Sequence, residues 1–237
     1  MVENVKGFVG SHMLSLWHEC LHDCGYTYEE YLLSPTQLKI PNHRTRYYMI
    51  CERSNRFQCR TRHKEDLNVS PLPGCIPDSE FADKKVRPIS FYLNTNEIGT
   101  KEFEDLKIPD CVFEKKWAKQ LPVVSPLDRA THCFTAAYGR QIHRATGSLL
   151  LMDSSRATSI ADTPLDRTDM TQYKSKLRRF SPRELLRIFC FPDDLKFPDD
   201  ISLEHQYKLI GNSVNVCVIS HVASFLLKDF TTLKAMN

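Results

Sequence analysis

Glycine is scarce in this chain. There are eight in 237 residues, and no two stand two positions apart. With no G-x-G pattern anywhere, no glycine-rich loop of that kind can be read as a cofactor cradle. Proline never precedes cysteine, and no two cysteines form a C-x-x-C pair. The nine cysteines are odd in number and scattered. That pattern argues against a secreted disulfide framework and for reduced thiols in the cytosol or nucleus. No run approaches the roughly 20 apolar residues of a membrane span, and the first residues lack the charged-then-apolar order of a signal peptide. Charge of one sign is missing too. Lysine and arginine number 32 against 29 acidic residues, a net charge of +3. A polyanionic partner is permitted but not demanded. Neither an internal repeat nor a low-complexity tract is present. What remains is ordinary globular material: 41% hydrophobic and 10% aromatic, in a chain long enough for one or two domains.

Periodicity and punctuation predict the elements. Residues 11 to 24 read as a helix with Ser11 as its cap, Met13, Leu14, Trp17, Leu21 and Cys24 at helical spacing, and Gly25 as its stop. Tyr26 to Leu33 and Arg46 to Cys51 read as strands, joined through Ser34-Pro35 and Ile40-Pro41-Asn42. A helix and then two strands fit the second half of an α/β domain. From Glu52 to about Pro122, prolines and unpatterned charge predict an irregular region or linker. Strand character returns between 123 and 152 and ends in Ser148-Leu149-Leu150-Leu151-Met152. Ser154 to Thr171 is polar and reads as a loop. Ser181-Pro182-Arg183-Glu184 is a capping box with proline at the first helical position, and its helix runs to about Cys190. A short helix is expected over Leu203 to Ile210 with Gly211 as terminator. A final amphipathic helix is expected to carry Val214, Val218, Val222, Phe225 and Leu226.

Taken singly, the polar motifs are bland. Glu3-Asn4-Val5 reads as a solvated glutamate. Arg44-Thr45-Arg46 places two guanidinium groups at strand spacing on one face and reads as a basic edge strand. Gly211-Asn212-Ser213 reads as a helix stop and a new cap. His18, Cys20, His22 and Cys24 invite a zinc reading. On a helix, however, positions two apart point about 200° apart, so the four cannot converge on one ion and no metal is expected.

In combination and in this order they carry more. The stretch Glu3-Asn4-Val5-Lys6-Gly7-Phe8, then Pro35-Thr36, then Ile40-Pro41-Asn42-His43-Arg44-Thr45-Arg46-Tyr47-Tyr48, closely resembles the cytosine-5 methyltransferases. More narrowly, it resembles the subfamily that methylates a cytosine in the anticodon loop of transfer RNA and was long classed with DNA methyltransferases. Cys133-Phe134-Thr135, with Tyr138-Gly139 and Thr146-Gly147-Ser148, is similar to its target-recognition signature. Leu177 through Glu184, with Phe191-Pro192 to Phe197-Pro198, resembles its next motif. Tyr207 through Val216, containing Gly211-Asn212-Ser213-Val214, resembles its last. Residues 53 to 122 match poorly. Ala136-Ala137 stands where the subfamily has lysine and glycine, which removes a phosphate contact.

The resemblance implies the C-terminal part of a Rossmann-like α/β methyltransferase domain with a small recognition domain inserted. The divisions expected are residues 1–52, catalytic portion; 53–176, recognition region; and 177–237, helices returning to the catalytic domain. It implies S-adenosylmethionine as methyl donor and a tRNA partner, with DNA as the second nucleic-acid reading. It implies no membrane partner, a monomer, and a cytoplasmic or nuclear location. Glu3 would face the ring nitrogen of a flipped cytosine. Arg44 and Arg46 would sit at the base, with Arg46 in direct contact. Asn212 and Ser213 would touch the cofactor, and Cys133, Thr135 and Arg178 would serve substrate binding. The basic residues Arg53, Arg56, Arg60, Arg62, His63 and Lys64 around Phe57 would form a salt-sensitive phosphate-binding surface. The family's glycine loop and Pro-Cys nucleophile would precede Met1. The chain alone is therefore expected to lack turnover and to be marginally stable, and a non-catalytic RNA-binding role is the alternative.

Overall fold

The computed structural model of the chain describes residues 1–53, 85–94, 101–152 and 165–234. The basic cluster expected from Arg56 to Lys64 and most of the polar stretch after Ser154 lie outside the described residues, as does the side chain of Phe225. The chain divides into two compact units. Unit 1 holds Met1–Leu38, the chain from Arg44, and the C-terminal helix from Cys217. Unit 2 holds Lys39–His43 and the chain from Lys85 to Val216.

Unit 1 is built on an antiparallel sheet in the order β1-β3-β2, with β1 Val2–Val5, β2 Thr27–Leu33 and β3 Arg46–Glu52. Helix α1, His12–Asp23, connects β1 to β2. It starts where expected, because the Ser11 hydroxyl accepts from the Leu14 amide at 3.2 Å. It stops at Gly25, whose φ of 72° closes the turn in the left-handed region. Register then sorts the sheet's faces. Tyr47 pairs with Leu32, and Met49 with Glu30 and Val2. The Tyr47, Met49, Tyr28 and Leu32 face buries Leu14 and Leu21 of α1. Burying each leucine contributes about 1.5–3 kcal/mol. Alternation puts Glu3, Val5, Arg46 and Tyr48 on the opposite face. Under α1, the Tyr47 hydroxyl and the His18 ring both bond the Glu30 carboxylate, His18 Nε2 at 2.9 Å. His18 also stacks on Tyr28 at 4.7 Å.

Unit 2 holds a small mixed sheet: β4 Val123–Val124, parallel to β5 Leu149–Leu151, which is antiparallel to β6 Leu177–Arg178. The three consecutive leucines of β5 serve two cores. Leu149 and Leu151 join Ile108, Leu121 and Met170 on one face, while Leu150 joins Phe134, Tyr138 and Phe180 on the other. A strand buried on both faces reads as a continuous apolar run, as Leu149-Leu150-Leu151 does.

Residues 85–94 and 101–122 are not the irregular linker expected from their prolines. Single-turn helices α2 (Lys101–Glu104) and α3 (Asp110–Phe113) and 3-10 turns at Ile89–Tyr92 and Lys116–Gln120 occupy this stretch. Ile89, Leu106, Ile108, Ala118 and Leu121 are buried. Pro88 and Pro109 stand at the caps of two of these turns, so they start structure rather than break it.

The capping box forms as read. The Ser181 hydroxyl accepts from the Glu184 amide at 3.2 Å, and the Glu184 carboxylate accepts from the Ser181 amide at 2.8 Å. Helix α4 runs from Pro182 to Ile188, and Cys190, φ 62°, ends the turn beyond it. Helix α5, Leu203–Asn212, runs through Gly211 instead of stopping there. Helix α6, Val216–Lys234, starts after Val214, which lies outside it.

Candidate functional site

The first cluster is assembled entirely by the sheet of unit 1. Register places Glu3 directly opposite Tyr48, and Val5 opposite Arg46. Glu3 and Arg46 therefore share a face, two residues offset along the strands, and Glu3 Oε1 lies 3.6 Å from Arg46 Nε. That distance is an ion pair rather than a hydrogen bond. The Arg46 guanidinium is fixed further by donating from Nη1 to the Thr45 carbonyl at 2.9 Å. The Glu3 side chain stays 25% exposed, so its carboxylate is accessible. Arg44 is only 4% exposed, which corrects the reading of this segment as an exposed basic edge. β3 is the central strand, so Arg46 lies on no edge, and the buried Arg44 precedes the strand.

Sequence reasoning missed Tyr48. Its ring is 2% exposed, in the middle of this cluster. Burial pushes its phenol far above the usual range, and the Glu3 carboxylate adds to the push; Arg44 and Arg46 pull the other way. Tyr48 is thus a neutral hydroxyl at physiological pH. Strand alternation from Arg46 could have found it, since position 48 must share that face. The cluster combines one carboxylate, two guanidinium groups and a phenol. It can donate to and accept from the polar edge of a flat ring.

The second constellation lies in unit 2. Cys133 is half-buried, and its thiol is turned to the Phe134 carbonyl at 3.8 Å. The Thr135 amide donates to the Thr146 carbonyl at 3.1 Å, which ties Cys133-Phe134-Thr135 to Thr146-Gly147-Ser148. Three tyrosine-mediated bonds run from there to the later motifs. The Tyr138 hydroxyl donates to the Ser148 carbonyl at 2.8 Å and accepts from the Phe180 amide at 2.9 Å. The Tyr207 hydroxyl donates to the Phe180 carbonyl at 2.6 Å. Burial holds both phenols well above their usual range, so both hydroxyls keep their protons as donors. The rings of Tyr138 and Tyr207 meet edge to face at 5.1 Å.

Gly211 explains why α5 carries a glycine in its last turn. A Cβ there would stand 2.2 Å from the Thr135 carbonyl carbon and the Ala136 nitrogen. Backbone meets backbone, so only glycine fits. The glycine is set by contact with the recognition segment, not by helix termination. It places Asn212, exposed, and Ser213, half-buried, at the end of the helix. The Ser213 hydroxyl donates to the Ile210 carbonyl at 2.6 Å. Asn215, which sequence reading gave no role, is 1% exposed and donates from Nδ2 to the Ile188 carbonyl at 3.1 Å. Arg178 is 3% exposed, with its guanidinium held bidentate by Glu184 at 2.7 Å on both nitrogens. No group of His, Cys, Asp and Glu side chains that could hold a metal occurs among the described residues.

Known proteins are similar to nearly the whole chain. The tRNA (cytosine(38)-C(5))-methyltransferase of Homo sapiens is 28% identical over 95% of this chain and 70% of its own length. The enzyme of the same name from Spodoptera frugiperda is 29% identical over 96% of this chain and 66% of its own. The crystal structure of the S. pombe Dnmt2 methyltransferase superposes with a TM-score of 0.75 and 26% identity, covering 96% of this chain and 66% of that one. The α/β methyltransferase fold is thereby shared, and the chain spans about two thirds of the length of these relatives. The family described as C-5 cytosine-specific DNA methylase matches residues 1–228, and the chain belongs to that family.

Proposed function

We propose that the chain acts in tRNA cytosine-5 methylation. It would receive a cytosine extruded from an anticodon loop and direct a methyl group to C5. One observation supports this most. The Glu3–Arg46 pair stands beside a neutral Tyr48 in a chain similar to the tRNA (cytosine(38)-C(5))-methyltransferases of Homo sapiens and Spodoptera frugiperda. A nucleophile adding at C6 raises electron density at C5. A carboxyl group at ring N3 favours that addition by stabilising the protonated ring. Glu3 is that carboxyl, accessible and held by Arg46. Arg46 donates to the ring oxygen, and the buried Arg44 keeps the local field positive as charge builds on the base. Residues 53–176 serve target recognition in this reading, with Cys133 and Thr135 on the substrate side. Arg178 supports them through Glu184. S-adenosylmethionine supplies the methyl group. Asn212 would hold it with an exposed amide that can both donate and accept, beside Ser213. No Pro-Cys pair occurs in these 237 residues, and we assign no nucleophile among them.

A second reading, a non-catalytic RNA-binding protein, rests on the recognition segment alone. Incorporation of labelled methyl into tRNA and duplex DNA, side by side, decides among the readings. The protein should be expressed from its natural reading frame. Incorporation confined to tRNA is expected. Salt-dependent tRNA binding without incorporation would favour the second reading, and incorporation into DNA alone would overturn the choice of substrate.

A further inference from the structure

Unit 2 encloses a cavity of about 630 Å³ that none of the roles above uses. Its wall is cationic and imidazole-rich: Arg144, Arg167, His43, His132 and His143 line it, and among the described residues no carboxylate does. Apolar Leu121, Val123, Ile142 and Met170 also line it, together with Trp117. Trp117 is 49% exposed on the 3-10 turn Lys116–Gln120, an uncommon position for an indole. The residues are firmly placed. Asn42 donates from Nδ2 to Thr131 Oγ1 and to the His132 carbonyl, both at 3.0 Å, and the His43 amide donates to the Thr131 carbonyl at 3.0 Å. The His132 amide donates to Ser148 Oγ at 2.9 Å. Arg167 is pinned by the Val123 carbonyl at 2.6 Å and by Asp128 at 3.0 Å. Arg144, by contrast, is exposed and makes no ion pair among the described residues. In sequence, His43 immediately precedes Arg44, and His132 immediately precedes Cys133.

We propose that this cavity binds an unpaired nucleotide of the RNA strand, distinct from the cytosine that reacts, with Trp117 stacking on the base and Arg144 holding a phosphate. The volume lies in the range of small-ligand sites and suffices for one nucleotide. An exposed aromatic beside arginine over an apolar floor is how proteins grip single-stranded bases. With Arg167 paired to Asp128, the exposed guanidinium of Arg144 is the charge left at the cavity to favour an anion. His132 suits the base edge rather than the phosphate. Its burial, and then the charges of Arg144, His43 and Arg167, hold its pKa below the usual value, so it is neutral at physiological pH and can both donate and accept. The inference rests on the tRNA reading for the source of the strand.

The chain has two tryptophans, Trp17 and Trp117. Trp17→Phe therefore isolates the emission of Trp117. Titration with a fluorescein-labelled single-stranded RNA heptamer should quench that emission as anisotropy rises. Trp117→Ala should weaken the heptamer Kd by about tenfold, and Trp117→Phe should restore most of it. Arg144→Ala should reduce the slope of log Kd against log salt by about 0.7, the value for one phosphate on a single strand. RNA that binds without quenching Trp117, at a Kd that Trp117→Ala leaves unchanged, overturns this inference while the tRNA reading stands. No RNA binding at low salt overturns both. Quenching by inorganic phosphate or free cytidine monophosphate at the heptamer's affinity overturns the assignment to a strand.

Discussion

Replacing Glu184 by alanine removes the partner of a guanidinium that has almost no access to water. Arg178 and Glu184 are 4% and 1% exposed at their side chains, paired at 2.7 Å through both nitrogens. Glu184 accepts two further bonds, from the Asn94 amide at 3.0 Å and the Ser181 amide at 2.8 Å. The variant leaves one buried positive charge and two buried amides without their acceptor. Breaking a buried pair by removing one member costs about 3–5 kcal/mol. Domains of ordinary stability hold about 5–15 kcal/mol in all, so a third or more would be lost. With a urea dependence of about 2 kcal/mol per molar, the denaturation midpoint should fall by roughly 2 M. Urea unfolding followed by circular dichroism measures it. The reasoning makes a second demand. Removing both charges, as Arg178→Met with Glu184→Leu, should recover part of the loss, because no unpaired charge remains. A loss under about 1 kcal/mol in Glu184→Ala, or a double variant as weak as the sum of the two single ones, would refute it.

Other outcomes follow from the same structure. Gly211→Ala should destabilise by about 1–3 kcal/mol, since its methyl would sit 2.2 Å from backbone atoms of Thr135 and Ala136; thermal unfolding reads this. Tyr138→Phe should cost about 1–3 kcal/mol by leaving the Ser148 carbonyl and the Phe180 amide short of a partner, measured the same way. His132 binds its proton less readily folded than unfolded, so the unfolded chain takes up the proton first as pH falls. Its contribution is constant above about pH 6.5, the ordinary histidine value, and stability declines as pH drops through it. Denaturation midpoints of His132→Asn should decline less than the parent's over that interval.

Where the sequence was legible, a local rule sufficed. Ser11, Gly25, Ser181 and Glu184 announce helix ends through short-range bonds, and aromatic and apolar composition announces β2 and β3. Helical spacing found the buried Leu14 and Leu21 of α1. Glu3 and Arg46 were legible as ordered motifs, but their meeting at 3.6 Å depends on a register between segments forty residues apart. The reading of Gly211 failed for a related reason. A glycine after an apolar helix signals a stop, whereas here the constraint comes from backbone near Thr135, far away in the chain. Residues 85–94 and 101–122 were misjudged because their turns are held by tertiary contacts that no period displays. Asn42 and the cavity around Trp117 were invisible for the same cause. Their partners are distant in sequence, and their residue types are ordinary.

The most direct test of the account concerns Glu3. Single-turnover methyl incorporation into saturating tRNA should be compared for the natural-frame protein and its Glu3→Gln variant. The amide keeps the shape but loses the group that can hold and give up a proton at the ring. The account predicts a rate lower by about 10²- to 10⁴-fold with tRNA affinity within about twofold of the parent. A Glu3→Gln rate close to the parent's, at equal tRNA affinity, would contradict it.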